Sequence, residues 1–271
     1  MKLTLGFSPC PNDTFIFDAL VNHKIDTEGL DFELVTEDVQ TLNRLALEGN
    51  IDVTKISYGV WPLVQDRYTL LNSGSALGKG VGPLLITGNE AVTAENLADK
   101  TVLIPGENTT AHLLFSLAFP QVKHKQFVVF NQIEEALLQQ QADAGVIIHE
   151  NRFTYMQKGL KKIIDLGDYW EKTTGAPIPL GGIIANQGLS PDTIAKVDRL
   201  IRKSLEYAFE RYPELPAYVK DNAQEMEEGV MRQHIDLYVN QYSLDLGEEG
   251  NKAIDTLCSV YNRLHITKSP A

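Results

Sequence analysis

The residues with the most chemistry to offer stand where short apolar runs break into polar turns. Ser8-Pro9-Cys10-Pro11-Asn12-Asp13-Thr14 follows the alternating run Lys2-Leu3-Thr4-Leu5-Gly6-Phe7 and precedes the helical pattern Phe15-Ile16-Phe17-Asp18-Ala19-Leu20. Its two prolines fix φ and bias Ser8 and Cys10 toward extended backbone. Asn12, Asp13 or Thr14 is then expected to cap the helix. In open α/β sheets the carboxyl ends of strands hold small ligands, which makes Ser8 and Asn12 candidate ligand contacts. Cys10 is either an activated thiol near a helix start or a small apolar filler between prolines.

Three further junctions carry reactive side chains. Lys55, Ile56 and Ser57 end the run Asp52-Val53-Thr54-Lys55-Ile56-Ser57. Lys55 either pairs with a carboxylate or stays solvated on an edge strand, and Ser57 either donates to a ligand or caps the next helix. Pro105-Gly106-Glu107-Asn108-Thr109-Thr110 follows the apolar run Val102-Leu103-Ile104 and opens a helix. Its free N–H groups suit a carboxylate, although an ordinary N-cap reads the same way. Neither a dinucleotide nor a P-loop glycine pattern occurs. His149 ends Ala144-Gly145-Val146-Ile147-Ile148, where an imidazole can serve as a base or merely cap the next helix. His112 is a weaker candidate. His149-Glu150 begins like a zinc-protease helix, but Phe153 stands where the second histidine belongs, so no metal is expected. Tyr58, Trp61 and Trp170 either wall an aromatic ligand or pack in the core.

The elements that must position these groups alternate between strand and helix patterns, as a largely parallel sheet requires. Strands are expected at 31–35, 52–57, 83–87, 100–104, 126–130 and 143–148. Helices are expected at 39–47 (Asp38 as cap, Gly49 as stop), to about 66, 109–118 and 132–141. Loop-forming Gly-rich text lies around 72–89 and a Gly/Pro-dense stretch near 173–184; two α/β lobes are expected to connect near 88–92 and 174–180, and the patterns after Ser190 are almost wholly helical. The expected division is 1–88 plus 178–271 for the first lobe, with 89–177 inserted as the second and the C-terminal helices returning to the first. A cleft between lobes joined twice can close on a ligand.

Bulk properties narrow the function classes. The 271 residues suit one large or two modest domains, and 43% hydrophobic with 22% charged residues is ordinary for a globular protein. A formal net charge of −12 and the lack of a basic run disfavour nucleic acid as a partner. No stretch approaches the about 20 apolar residues needed to span a bilayer. The first residues lack a signal-peptide core, and Cys10 and Cys258 suggest no disulfide framework. A cytoplasmic, thiol-reduced protein is expected.

The first junction, together with Asp52-Val53-Thr54-Lys55-Ile56-Ser57-Tyr58, Asn108-Thr109-Thr110-Ala111, His149 and Pro179-Leu180-Gly181-Gly182, resembles the 1,4-dihydroxy-6-naphthoate synthase family along essentially the whole chain. The resemblance implies an α/β, two-lobed fold of the periplasmic-binding-protein-like (type II) kind, related to chorismate dehydratase. It implies a cytoplasmic lyase of the futalosine route to menaquinone that needs no cofactor. Such an enzyme converts cyclic dehypoxanthinyl futalosine into 1,4-dihydroxy-6-naphthoate and a dihydroxyacetone fragment. The family's proton acceptor falls on His149, and its substrate-contacting segments fall on Lys55 to Ser57 and on Thr109-Thr110. Competing readings are a non-catalytic protein that binds a small carboxylate, a chorismate dehydratase-like enzyme, and a regulatory effector-binding domain.

Overall fold

The computed structural model describes residues 1–223 and 227–266. Its strands are β1 (Lys2–Phe7), β2 (Asp31–Thr36), β3 (Val53–Ser57), β4 (Tyr68–Leu70), β5 (Ala76–Gly78) and β6 (Leu84–Thr87). They continue with β7 (Val102–Ile104), β8 (Lys125–Phe127), β9 (Ala144–Ile147), β10 (Lys161–Asp165) and β11 (Ile178–Asn186). The helices of the first part are α1 (Pro11–Val21), α2 (Val39–Glu48), α3 (Trp61–Val64) and α4 (Thr110–Ala118). Next come α5 (Ile133–Leu138), α6 (Asn151–Thr154) and α7 (Leu166–Thr174). The C-terminal set is α8 (Pro191–Phe209), α9 (Ala217–Asn222), α10 (Glu228–Tyr238), α11 (Gln241–Leu244) and α12 (Gly247–Ile266).

Two sheets result. The first has the order β2-β1-β3-β11-β4, with β5 also paired to β11, and the second has the order β10-β6-β9-β7-β8. The parallel pairs are β1 with β2 and β3, and β7 with β8 and β9. The sheets are mixed, however, where a largely parallel sheet was expected. β6 runs antiparallel to β9 and β10, and β11 runs antiparallel to β3, β4 and β5. These are the strands flanking the two crossings, so no helical crossover turns them parallel to their neighbours.

The chain first crosses between β5 and β6, ahead of the expected boundary at 88. The run Leu84–Thr87 is buried throughout, so its pattern does not say which sheet it joins. Close backbone approach fixes this crossing: a Cβ on Gly82 would lie 2.3 Å from the Cα of Gly167. Arg152 clasps the same loop, donating to the carbonyl of Gly80 at 3.0 Å and to Asp165 at 2.9 Å.

Local chemistry explains the helix ends. Asp38 accepts from the backbone N–H of Gln40 at 2.9 Å and of Thr41 at 3.2 Å, and Gly49 ends α2 with φ 75°. Ser190 caps α8 ahead of Pro191. At α1 the expected cap is corrected. The N-cap is Cys10, and Asn12, Asp13 and Thr14 lie within the first helical turn. Pro11 takes the first helical position because its fixed φ suits a helix and its missing N–H would find no intrahelical partner there.

One core cluster joins β1 and β11 to α1, α8 and α10 through residues such as Phe15, Ile183, Ile201 and Ile235. A second runs across both sheets and includes Tyr58, Leu85, Leu114, Trp170, Leu257 and Val260. The C-terminal helices therefore do not all return to the first sheet alone. α12 carries Leu257 and Val260 into the cluster shared by both. Among the described residues no helix is long and apolar enough to cross a membrane.

Candidate active site

Four strand ends converge on one cleft. β1 delivers Ser8, β3 delivers Lys55 to Ser57, β7 leads to Thr109 and Thr110, and β9 leads to His149. Ser8, Asn12, Lys55, Ile56, Ser57, Thr109, Thr110 and His149 all border this cleft. Ile56 does so on the opposite face of β3 from its neighbours: its side chain is wholly buried among Ala46, Ile51 and Val60. Val81, Pro83 and Leu180 give the cleft apolar walls, which a polar-tipped aromatic ligand requires.

On the first-sheet side Asp13 is a hub. One oxygen accepts from the Ser8 N–H at 3.2 Å and the Ser8 hydroxyl at 2.7 Å. The other accepts from the Asn12 amide at 2.8 Å and pairs with Lys55 Nζ at 3.1 Å. Lys55 also donates to the carbonyl of Gly74 at 2.8 Å. It is a buried, paired lysine on an interior strand, which decides between the two readings of its sequence. Two of its three N–H donors are occupied, and the third is available to a ligand oxygen.

Between the sheets, Thr110 N–H donates to Ser57 Oγ at 2.6 Å, and the two hydroxyls are 3.0 Å apart. Thr110 Oγ1 also donates to the carbonyl of Leu180 at 3.0 Å and accepts from Gly59 N–H at 3.1 Å. Thr109 caps α4 by accepting from His112 N–H at 3.1 Å. Contact here is too close for a side chain at residue 59: a Cβ on Gly59 would lie 2.4 Å from the carbonyl carbon of Thr109.

His149 follows β9 with φ 56°, a left-handed backbone uncommon in residues other than glycine. Its ring centroid lies 5.0 Å from that of Phe130 and 5.9 Å from that of His234, stacked nearly parallel to the latter at 7°. Burial holds its pKa below the ordinary imidazole value, against the opposing pull of Glu150, Asp13 and Asp38. The imidazole is thus neutral at physiological pH and able to accept a proton. Cys10 Sγ, a His149 ring nitrogen and a Glu150 oxygen lie within 4.8 Å of one another. Burial, first, and the Glu150 charge, second, push the Cys10 thiol well up, so it is an uncharged thiol and a poor nucleophile.

His234, Tyr238 and Asp13 line the cleft and were not nominated from the sequence. Asp13 lay in view within the first junction. His234 and Tyr238 sit on α10, where a helical pattern gives no sign that one turn reaches a cleft built by strand residues more than fifty positions away. His112, Tyr58, Trp61 and Trp170 do not line it. Trp170 is fully buried and donates to the carbonyl of Pro177 at 3.2 Å, a core role.

The menaquinone biosynthesis family model matches residues 3–263. The chain belongs to that family. A 1,4-dihydroxy-6-naphthoate synthase of Thermus thermophilus is 45% identical over 255 residues, covering 94% of this chain and 92% of the relative. One from Streptomyces coelicolor is 42% identical over 257 residues, covering 93% and 90%. Among solved structures, protein AF1704 of Archaeoglobus fulgidus superposes with a TM-score of 0.92 at 31% identity, covering 98% of both chains. The alkanesulfonate-binding protein SsuA of Xanthomonas axonopodis pv. citri, bound to MOPS, gives 0.76 at 12% identity, covering 99% of this chain and 94% of that one. The fold of this family member is that of the periplasmic binding proteins.

Proposed function

We propose that this chain is a 1,4-dihydroxy-6-naphthoate synthase that cleaves cyclic dehypoxanthinyl futalosine, with His149 as the general base. The observation that carries the assignment of the base is its placement. A neutral imidazole stands at a strand end in a strained backbone conformation, inside the cleft where apolar walls and polar groups meet. It takes a proton from a substrate hydroxyl or C–H. Carbon–carbon cleavage follows, driven by aromatisation of the bicyclic product, with release of the dihydroxyacetone fragment. A base of this kind contributes about 10²–10⁴-fold. Positioning in a closed, water-poor cleft supplies the rest.

The remaining side chains take supporting roles in this reading. The Ser57 and Thr110 hydroxyls exchange their mutual hydrogen bond for one to the substrate carboxylate, with Thr109 beside them. The free N–H of Lys55 stabilises the developing oxyanion, while Ser8 and Asn12 hold Asp13 and, through it, Lys55. The two lobes, one built on each sheet, close around the substrate. The reaction is placed in the cytoplasm and calls on no cofactor or metal.

The deciding experiment incubates the purified protein with cyclic dehypoxanthinyl futalosine and follows dihydroxynaphthoate by mass spectrometry. Product from wild type that is lost in His149→Ala supports the lyase and its base together. Tight binding with the ligand recovered unchanged would make the protein a receptor on the same scaffold.

A further inference from the structure

Behind His149 lies a contact that ordinary donor–acceptor matching does not explain. His234 is completely buried, and its Nδ1 faces Glu150 Oε2 at 3.5 Å. Both atoms are buried and, among the described residues, have no other hydrogen-bond partner. The tautomer of His234 follows from its other nitrogen. Asn12 donates its amide N–H to the Asp13 carboxylate at 2.8 Å, which turns its carbonyl oxygen toward His234 Nε2 at 2.9 Å. Nε2 must therefore carry a hydrogen. A neutral His234 then presents a bare lone pair at Nδ1, directly opposite a carboxylate oxygen. Two lone pairs facing each other in a dry interior are repulsive, and a proton between them removes the conflict.

We propose that Glu150 and His234 share one proton across this contact and act as positioning residues for His149, leaving no net charge behind the base. The inference rests on the reading of His149 as the base. A lone Glu150 carboxylate this close would hold a proton on His149 and oppose its work. The shared proton cancels that charge whether it resides on oxygen or nitrogen. Burial and the neighbouring His149 keep His234 well below the usual imidazole range, so its hydrogen at Nε2 alone cannot supply the cancellation.

The other ionisable groups around the contact are already accounted for. Asp13 and Lys55 on the first-sheet side are paired with each other. Asp38 is engaged as the cap of α2. Burial raises Cys10 and Tyr238, the latter 4.8 Å from the His234 ring, so both stay protonated. Arg152 is paired with Asp165.

The test is nitrogen NMR of the full chain labelled at histidine, in wild type, Glu150→Gln and Glu150→Ala. In wild type the Nδ1 resonance of His234 should be that of a hydrogen-bonded nitrogen. Glu150→Ala should move it to the position of a free lone pair, and Glu150→Gln, whose amide donates permanently, should restore it. The His149 titration midpoint should stay in place in Glu150→Gln, because a neutral amide replaces a pair without net charge. The acid limb of kcat/KM should likewise stay in place. A free lone-pair signal in wild type overturns the proposal. So does a His149 midpoint lower by about 1–3 pH units in Glu150→Gln, the result of removing a full negative charge at this range. The spectra need no substrate: inactivity of the wild type toward cyclic dehypoxanthinyl futalosine would sink the substrate reading and leave the shared proton standing.

Discussion

One buried carboxylate lines the cleft and another lies behind it, and the two are treated in opposite ways. Asp13, beside the end of β1, is saturated: a backbone N–H, a hydroxyl, an amide and a lysine all meet its oxygens. Glu150, beside the end of β9, sets a buried oxygen against a single histidine nitrogen at 3.5 Å, with no further hydrogen-bond partner among the described residues, next to a residue held at φ 56°. Saturation makes the first corner a frame, because a fully satisfied buried network resists rearrangement. Under-satisfaction and backbone strain make the second the reactive corner, because both are kept only where surrounding structure enforces them. One fold thus builds its rigid anchor and its proton-handling group from similar parts, and the difference lies in how many hydrogen bonds each receives.

The strongest test of this contrast is to remove the reactive group. His149→Ala should lower kcat by about 10²–10⁴-fold, or about 2.7–5.5 kcal/mol, with little change in the unfolding midpoint. Near-normal turnover would erase the distinction between the corners. Removing the frame should do the reverse. Asp13→Ala strands Lys55 in a buried site and should cost about 3–5 kcal/mol of stability in urea unfolding. A loss within experimental error would mean that the hub carries no structural weight.

These corners were unequally legible in the sequence. The strand-end placement of Ser8, Lys55, Thr110 and His149 follows from alternation and turn chemistry, which act over a few residues. The Asp38 cap and Gly49 stop of α2 are equally local. What escaped was long-range. The partner of Lys55 was open because pattern alone does not tell a central strand from an edge strand, and β3 is interior only because β11 returns from residue 178 to pair with it. His234 escaped because its contact with Asn12 spans 222 residues, and no periodicity within α10 encodes it. The direction of β6 and β11 was missed for the same reason: it depends on which sheet the chain enters.

A milder test sits where the two corners meet. Ser57→Ala leaves the Thr110 N–H without its acceptor at 2.6 Å and should cost about 1–3 kcal/mol. The loss should divide between urea stability and KM, since the same hydroxyl joins the sheets and is assigned to the substrate carboxylate. A change in stability alone would restrict Ser57 to the frame.

The smallest expected effect is the most specific to the reactive corner. Burial lowers the His149 pKa from its ordinary 6.5, so the folded protein binds a proton there less readily than the unfolded chain does. The stability that comes with a neutral His149 is therefore fully present above that ordinary value and is lost as pH falls through the depressed one. Activity follows the same sign. The kcat/KM profile should be level above 6.5 and decline only below it, with a midpoint displaced to the acid side of 6.5. Asp13 carries no part of this displacement; its charge pulls the other way. Asp13→Asn should accordingly move the midpoint further to the acid side. A midpoint at or above 6.5 in wild type would mean that charge outweighs desolvation at His149, and the two corners would then differ in hydrogen bonding but not in polarity.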